Sequence, residues 1–361
     1  MTITRERVLD ALKAVKDPDL HQDIVSLGFV KGVSVHSGVV AFTIELTTPA
    51  CPMRDQMKEE AREMVLAIPG VRQVDITMSS QVRPSIVREG IERLAPSIKN
   101  IIPVASGKGG VGKSTVSVNL ALALSRDGAR VGIMDADIYG PSVPTILGVT
   151  SAPRVGSNNR ISPAVHEGLK VISMGFFMKQ EEAVIWRGPM LHKALSQFLG
   201  EVDWGDLDYL IVDLPPGTGD VQLSLCQLIP ITGALIVSTP QDVALNVAQK
   251  AVTMFQKLEA PILGIVENMS HYACPHCGKR DDIFGSGGAR EIAKRLGIPF
   301  LGEIPLSTSV RSASDAGRPI VLSEPNSPAA RAFVVVAEQL AAQVSIRAMQ
   351  DQLTPVVRST L

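Results

Sequence analysis

At 361 residues the chain is long enough for two domains, and 45% hydrophobic residues allow a large core, built from Val, Ile, Leu and Ala because only 4% are aromatic. A formal net charge of −1 gives no electrostatic case for nucleic acid or an acidic membrane surface as partner. No run of about 18 apolar residues argues for a transmembrane helix, and the opening MTITRERVLDALKAVKD is charged throughout, unlike a signal peptide. A cytoplasmic location is expected, with Cys51, Cys226, Cys274 and Cys277 reduced and open to metal or thiol chemistry.

Residues 1–82 read as a small α/β unit. Thr4 is placed to cap a helix whose apolar face is Val8, Leu12 and Val15, and Lys16-Asp17-Pro18 stops it. Two alternating runs, around 29–35 and 39–46, are joined by His36-Ser37-Gly38 as a hairpin. Thr48-Pro49-Ala50-Cys51-Pro52 leads into a helical pattern with Met53, Met57, Met64 and Val65, and a third strand is expected over 71–78. Pro52 suits a first helical position, which would set Cys51 at a helix N-terminus. Cys51 is then either a thiol with a lowered pKa or a small buried cap residue.

Residues 83–98 read as a linker, with prolines, charges and no hydrophobic alternation. From 99 to 348, apolar runs at 131–134, 169–173, 209–212, 234–238, 262–267 and 300–304 alternate with helical patterns. Near-continuous Val/Ile/Leu runs imply strands buried on both faces, hence an α/β, doubly wound, mainly parallel sheet. Pro103 is awkward in the strand before the glycine loop, which needs its N–H groups, and is expected at that strand's first residue. Residues 349–361 read as a frayed tail.

The strongest local pattern is G-x-x-x-x-G-K-[ST] over 107–114, lying between an apolar strand and a helical pattern. Gly107, Gly109, Gly110 and Gly112, with Val111 between the last two, let backbone N–H groups turn inward around phosphate oxygens. The helix entered through Lys113, Ser114 and Thr115 points its positive end at the same anion. Lys113 would neutralise the β- and γ-phosphates of ATP, and the Ser114 hydroxyl would bind Mg²⁺. The same stretch spells G-x-G-x-x-G with acids following at Asp135 and Asp137, as in a dinucleotide site. Lys113-Ser114 decides against that, since a dinucleotide loop needs neither a lysine nor a metal hydroxyl there.

Asp135 and Asp137 close one apolar strand and Asp213 closes another. An acid ending the strand beside the phosphate loop completes a Mg²⁺ shell, which suits Asp213, and Gly217 in the following glycine loop suits a backbone that senses a γ-phosphate. Cys274-Pro275-His276-Cys277-Gly278 brings two thiolates toward one metal. The motif does not open a helix as a thioredoxin pair does, which leaves Zn²⁺ or an iron–sulfur cluster. Either generally takes four ligands, and one chain offers a single close pair, so two chains on a two-fold axis would supply four. Cys226 sits in an apolar helical pattern and reads as core.

Taken together, SGKGGVGKST, DADIYGPS, WRGPM at 186–190, DLPPGTGD, ENMS, CPHCG and FGSGG at 284–288 resemble the Mrp/ApbC group of iron–sulfur cluster carriers. That group lies within the MinD/ParA/nitrogenase-iron-protein class of P-loop ATPases. Asp17-Pro18-Asp19-Leu20, Asp23-Ile24-Val25-Ser26-Leu27-Gly28 and the Cys51 loop resemble the small iron–sulfur assembly domain that precedes some of them. The resemblance implies that Lys108 reaches a nucleotide held by a partner subunit, that Asp137 sits beside the attacking water, that Asp135 belongs to a switch, and that Asn268 reads adenine. It implies a homodimeric ATPase that carries a [4Fe–4S] cluster on Cys274 and Cys277 of both chains, and that works with an assembly scaffold and recipient apoproteins. Zn²⁺ in place of the cluster is the alternative. A partitioning switch is disfavoured, because the tail QDQLTPVVRSTL has neither a basic surface nor an apolar face.

Overall fold

The computed structural model describes residues 3–84, 94–156, 160–177, 188–274 and 277–353. The linker residues 85–93, Trp186 and Arg187, Pro275 and His276, and the tail residues 354–361 lie outside the described residues. The chain divides into two units, Met1–Arg83 with Ala348–Leu361, and Pro84–Arg347.

In the small unit, helix α1 (Arg5–Leu12) starts at Thr4, whose hydroxyl accepts from the Arg7 N–H at 3.4 Å, and it buries Val8 and Leu12. Strands β1 (Val30–His36) and β2 (Val39–Leu46) form an antiparallel hairpin. Ser37 and Gly38 both take left-handed φ, 46° and 81°, as a two-residue turn matched to strand twist requires. Strand β2 alternates, burying Val40, Phe42, Ile44 and Leu46. Helix α2 (Arg54–Leu66) crosses to β3 (Gln73–Ser80), which runs parallel to β2. Its buried stripe is Met57, Ala61 and Val65, while Met64 is exposed. The helix begins at Arg54 after Met53, so Cys51 lies outside its first turn, half-buried against the small core. Pro52 therefore lies in the turn ahead of the helix rather than at its first position, and that turn is closed by the Arg54 N–H donating to Cys51 O at 3.3 Å.

In chain order the large unit runs β4 (Ile98–Ser106), α3 (Lys113–Arg126), β5 (Val131–Asp135), α4 (Val143–Leu147), β6 (Arg154–Val155), β7 (Ile161–Ser162), β8 (Ala164–His166), β9 (Leu169–Ser173) and α5 (Gly188–Gly200). It continues through β10 (Leu207–Asp213), α6 (Asp220–Leu228), β11 (Ala234–Ser238), α7 (Asp242–Lys257), β12 (Ile262–Ala273), β13 (Arg280–Asp281), α8 (Gly288–Leu296), β14 (Phe300–Leu306), α9 (Thr308–Asp315), α10 (Ile320–Ser323) and α11 (Pro328–Leu353), whose residues from Ala348 onward belong to the small unit. Among the described residues the main sheet has the order β13-β12-β11-β4-β10-β5-β9-β8, with β14 also on β12. All pairings are parallel except those of the short edge strands β13 and β8. Each expected apolar run is a strand, and β12 runs past Glu267 to Ala273.

The chain leaves β4 for β5 on one side and later reaches β11 on the other, so the sheet reverses direction at β4. Ligands in such sheets bind beyond the carboxyl ends of the strands at that reversal, which is where the glycine loop leaves β4. Pro103 is not the first residue of β4 but its sixth. The ladder to β11 begins only at Val104, opposite Leu235; below it Thr232 replaces a strand, its N–H donating to Ile101 O and its hydroxyl accepting from the Ile101 N–H. The missing proline N–H therefore falls where no ladder bond is due.

Helix α11 differs from two expectations. It continues through 349–353, and Met349 is buried with the small unit's core rather than frayed. Over Pro328–Gln350 it also has the length and hydropathy of a membrane span, though none was expected, because alanines carry the average without an unbroken apolar run. Within the protein 56% of that window is buried, including Phe333, Val336, Ala337 and Leu340.

Candidate functional site

The glycine loop joins the central strand to α3, and two of its glycines are required by close approach. A Cβ on Gly107 would strike the backbone of Val247 and Ala248 in α7, and one on Gly112 would strike the Asn268 amide. Gly110 and Gly112 also take φ of 80° and 81°. Gly109 is exposed beside Pro216, Val111 is buried, and Thr115 stands half-buried at the first turn of α3.

Asp213, at the end of β10, is fully buried. Its Oδ2 accepts from Lys113 Nζ at 2.7 Å and from Ser114 Oγ at 2.6 Å, and its Oδ1 from Ser117 Oγ at 2.6 Å. A carboxylate and a hydroxyl in contact are hard oxygen donors of the kind Mg²⁺ takes, so Ser114 and Asp213 fit that ion. Ser117 was not foreseen, though it lies four residues along α3 from Lys113, on the same face.

Asp135 ends β5 directly beside Asp213 in the parallel ladder. Its Oδ1 accepts from the Asp137 N–H; its Oδ2 accepts from the Ser142 and Val143 N–H groups and from Ser173 Oγ at 3.0 Å. Complete burial, reinforced by the neighbouring Asp213 charge, pushes its carboxyl up to about 7, against the opposing hydrogen bonds and Lys113. Asp137 is half-buried and also raised, chiefly by burial, with Lys113 opposing. A cavity of 590 Å³ opens beside it, lined by Tyr139, Leu191, Pro215, Pro216 and Gln222. The loop after β10 is tied to the phosphate strand: the Gly217 N–H donates to Ser106 O at 2.8 Å, with Gly217 at φ 94°. Gln222, another residue the sequence reading missed, braces this loop from α6 by donating to Pro215 O and Gly217 O.

Asn268 comes from β12 and donates through Nδ2 to Val111 O at 2.8 Å. It helps line a second cavity, of 420 Å³, with Gly112, Thr115, Pro305, Leu306 and Arg311. Lys108 is held from the residue before α7, its Nζ donating to Gln241 Oε1 at 3.2 Å. The structure thus brings Lys113, Ser114, Asp135, Asp137, Asp213, Gly217 and Asn268 around one loop, with Lys108 bonded to Gln241.

Cys274 and Cys277 do not join that group. They lie at the tip of the β12–β13 hairpin, closed by Cys274 N–H to Lys279 O at 3.0 Å and Gly278 N–H to Cys274 O at 2.8 Å. Cys274 is half-buried and Cys277 exposed. Among the described residues no three His, Cys, Asp or Glu side chains are grouped to hold a metal ion. Cys226 lies in α6, where burial pushes its thiol up to about 11.

A family model described as NUBPL iron-transfer P-loop NTPase matches residues 97–341, and one described as iron–sulfur cluster assembly protein matches residues 5–76. The chain is 49% identical over 348 residues to the iron-sulfur cluster carrier protein of Deinococcus radiodurans, covering 96% of this chain and 97% of that one. It is 45% identical over 352 residues to the protein of the same name from Synechocystis, covering 96% and 99%. Among solved structures it resembles the nucleotide-binding protein of Archaeoglobus fulgidus in complex with ADP, at 41% identity and TM-score 0.58, covering 66% of this chain and 93% of that one. It also resembles the cell division ATPase MinD of Pyrococcus furiosus, at 25% identity and TM-score 0.51, covering 66% and 97%. The fold is that of a P-loop NTPase preceded by a small mixed-sheet unit, and the chain belongs to the NUBPL iron-transfer P-loop NTPase family.

Proposed function

We propose that this protein is an ATP-hydrolysing iron–sulfur cluster carrier that acts as a homodimer. The observation that carries the reading is the pair of thiols at the tip of one hairpin, Cys277 exposed and Cys274 half-buried, which is half of the four thiolates such a cluster takes. Two copies related by a two-fold axis supply the four thiolates that a [4Fe–4S] cluster takes, and the cluster is cargo passed on to recipient apoproteins. In the nucleotide site, Mg²⁺ on Ser114 and Asp213 would offset phosphate charge. Lys113 would leave Asp213 for the β- and γ-phosphates, and Asp137 would hold the attacking water. Gly217 would sense the γ-phosphate, Asn268 would face the base, and Lys108 would act on the nucleotide of the second copy. The names of the two relatives and the paired family models support the cargo assignment.

The test is iron per chain after anaerobic reconstitution with iron and sulfide, with particle mass measured on the same sample. About two irons per chain in a dimer, lost in Cys274→Ala and in Cys277→Ala but kept in Cys226→Ala, is expected. A monomer holding four irons, a Cys274→Ala variant with full iron, or a colourless dimer holding only Zn²⁺ overturns the reading.

A further inference from the structure

Consecutive residues of a strand point to opposite faces of the sheet, and β12 uses this at Glu267 and Asn268. Asn268 faces the phosphate loop, on Val111 O. Glu267 is fully buried, and its two oxygens accept from the Gly287 and Ala289 N–H groups at 2.8 Å each. Gly287 caps α8, so the carboxylate occupies the positive end of that helix. A buried carboxylate is costly, and these two bonds fix the loop before α8 to the strand that carries Asn268.

That loop is also fastened to the cysteine hairpin. Asp282 accepts from Arg280 Nε at 2.8 Å and from Ser286 Oγ at 3.0 Å, and its carbonyl accepts from the Gly285 N–H at 2.9 Å. Arg280 pairs with Ala273 in the ladder that leads to Cys274. A Cβ on Gly288 would strike Leu245 and lie 3.0 Å from Pro240 O, so the loop also rests on the start of α7, next to the Gln241 that holds Lys108. Both ends of the glycine loop therefore reach the hairpin through the segment 282–289.

We propose that Glu267 is the positioning residue that ties the cysteine hairpin to the nucleotide strand, so that nucleotide at Asn268 alters the reactivity of Cys274 and Cys277. This rests on the proposed reading of Asn268 as a nucleotide contact. Asn268 exchanging its Val111 bond for the nucleotide shifts β12, and Glu267 passes that shift to the loop. Glu267→Gln keeps the shape of the side chain but sets an amide donor against one of the two N–H groups, releasing that end of the strut.

The experiment uses the full-length, reduced, metal-free protein. The rates at which a maleimide labels Cys274 and Cys277 are followed by peptide mass spectrometry, without nucleotide, with Mg-ADP and with Mg-ATP. In the wild type, Mg-ATP is expected to change the rates by about fivefold or more, the low end of ordinary coupling between sites. In Glu267→Gln the ratio falls close to one while ATP affinity stays at the wild-type value. Asp282→Ala, at the exposed end of the same strut, is expected to lose the response too, and it decides the question if Glu267→Gln fails to fold. A wild type without a nucleotide response, or variants that keep the full ratio, overturn the proposal. Iron content of the same proteins after reconstitution reports separately: a wild type that binds no iron but labels in a nucleotide-dependent way sinks the cluster reading and leaves this one standing.

Discussion

Lys113 Nζ donates to Asp213 Oδ2 at 2.7 Å, and both groups are withdrawn from water. On the proposed reading, the lysine that meets phosphate rests on the carboxylate that meets Mg²⁺, and nucleotide entry would exchange one partner for another. In Lys113→Ala, Asp213 keeps two hydroxyl donors but loses its cation. Hydrolysis of ATP is expected to fall by about 100-fold or more. Stability without nucleotide is expected to fall by about 3–5 kcal/mol, the cost of leaving one member of a buried pair. Phosphate release and chemical denaturation measure the two effects, and a variant that hydrolyses ATP at the wild-type rate refutes the loop assignment.

Lys108 donates to Gln241, whereas Lys113 rests on Asp213. Lys108→Ala is expected to bind ATP with near wild-type affinity and to lose hydrolysis by at least about tenfold, as when a charge supplied in trans is removed. Mixed with Lys113→Ala, it should regain activity, since one site of a heterodimer then holds both lysines. Absence of recovery across mixing ratios would show that Lys108 does not act across an interface.

The raised Asp135 carboxyl makes stability depend on pH with a definite sign. Its folded value of about 7 lies above the ordinary carboxylate value, so between about 4 and 7 the native state binds more protons than the unfolded one. Stability from this group is complete below about pH 4 and is lost as pH rises to 7. Thermal or urea unfolding of nucleotide-free protein at pH 5 and 8 should show that decline, and Asp135→Asn should flatten it. An identical slope in the variant would mean that the carboxyl titrates normally.

Cys226 and Cys277 should separate by their reactivity toward a thiol reagent. Burial pushes Cys226 up to about 11, whereas Cys277 stands exposed at the hairpin tip. At pH 7.5 a maleimide should modify Cys277 at least about ten times faster than Cys226, because the thiolate is the nucleophile. Equal rates in folded protein would count against the burial of the α6 thiol. Cys226→Ala should cost only the small packing loss of a partly buried side chain.

Residue types alone determined the glycine loop, Lys113 and Ser114, and the acids closing β5 and β10, because phosphate binding and strand burial each demand particular side chains at fixed local spacing. The Ser37-Gly38 turn was legible for the same reason: few residues adopt left-handed φ. Tertiary structure decided what those groups rest on. Ser117 and Lys113 reach Asp213 across about a hundred residues of chain, Gln241 holds Lys108, and Glu267 fastens the loop before α8. Such partners follow from strand order and helix packing, which bring together residues with no common local pattern. Pro103 and Pro52 show the same limit. Pro103 is tolerated because the β11 ladder starts one residue later, and Pro52 sits in a turn rather than at a first helical position because α2 begins at Arg54. Both outcomes depend on register and boundary, which are set by packing between distant segments rather than by the residues themselves.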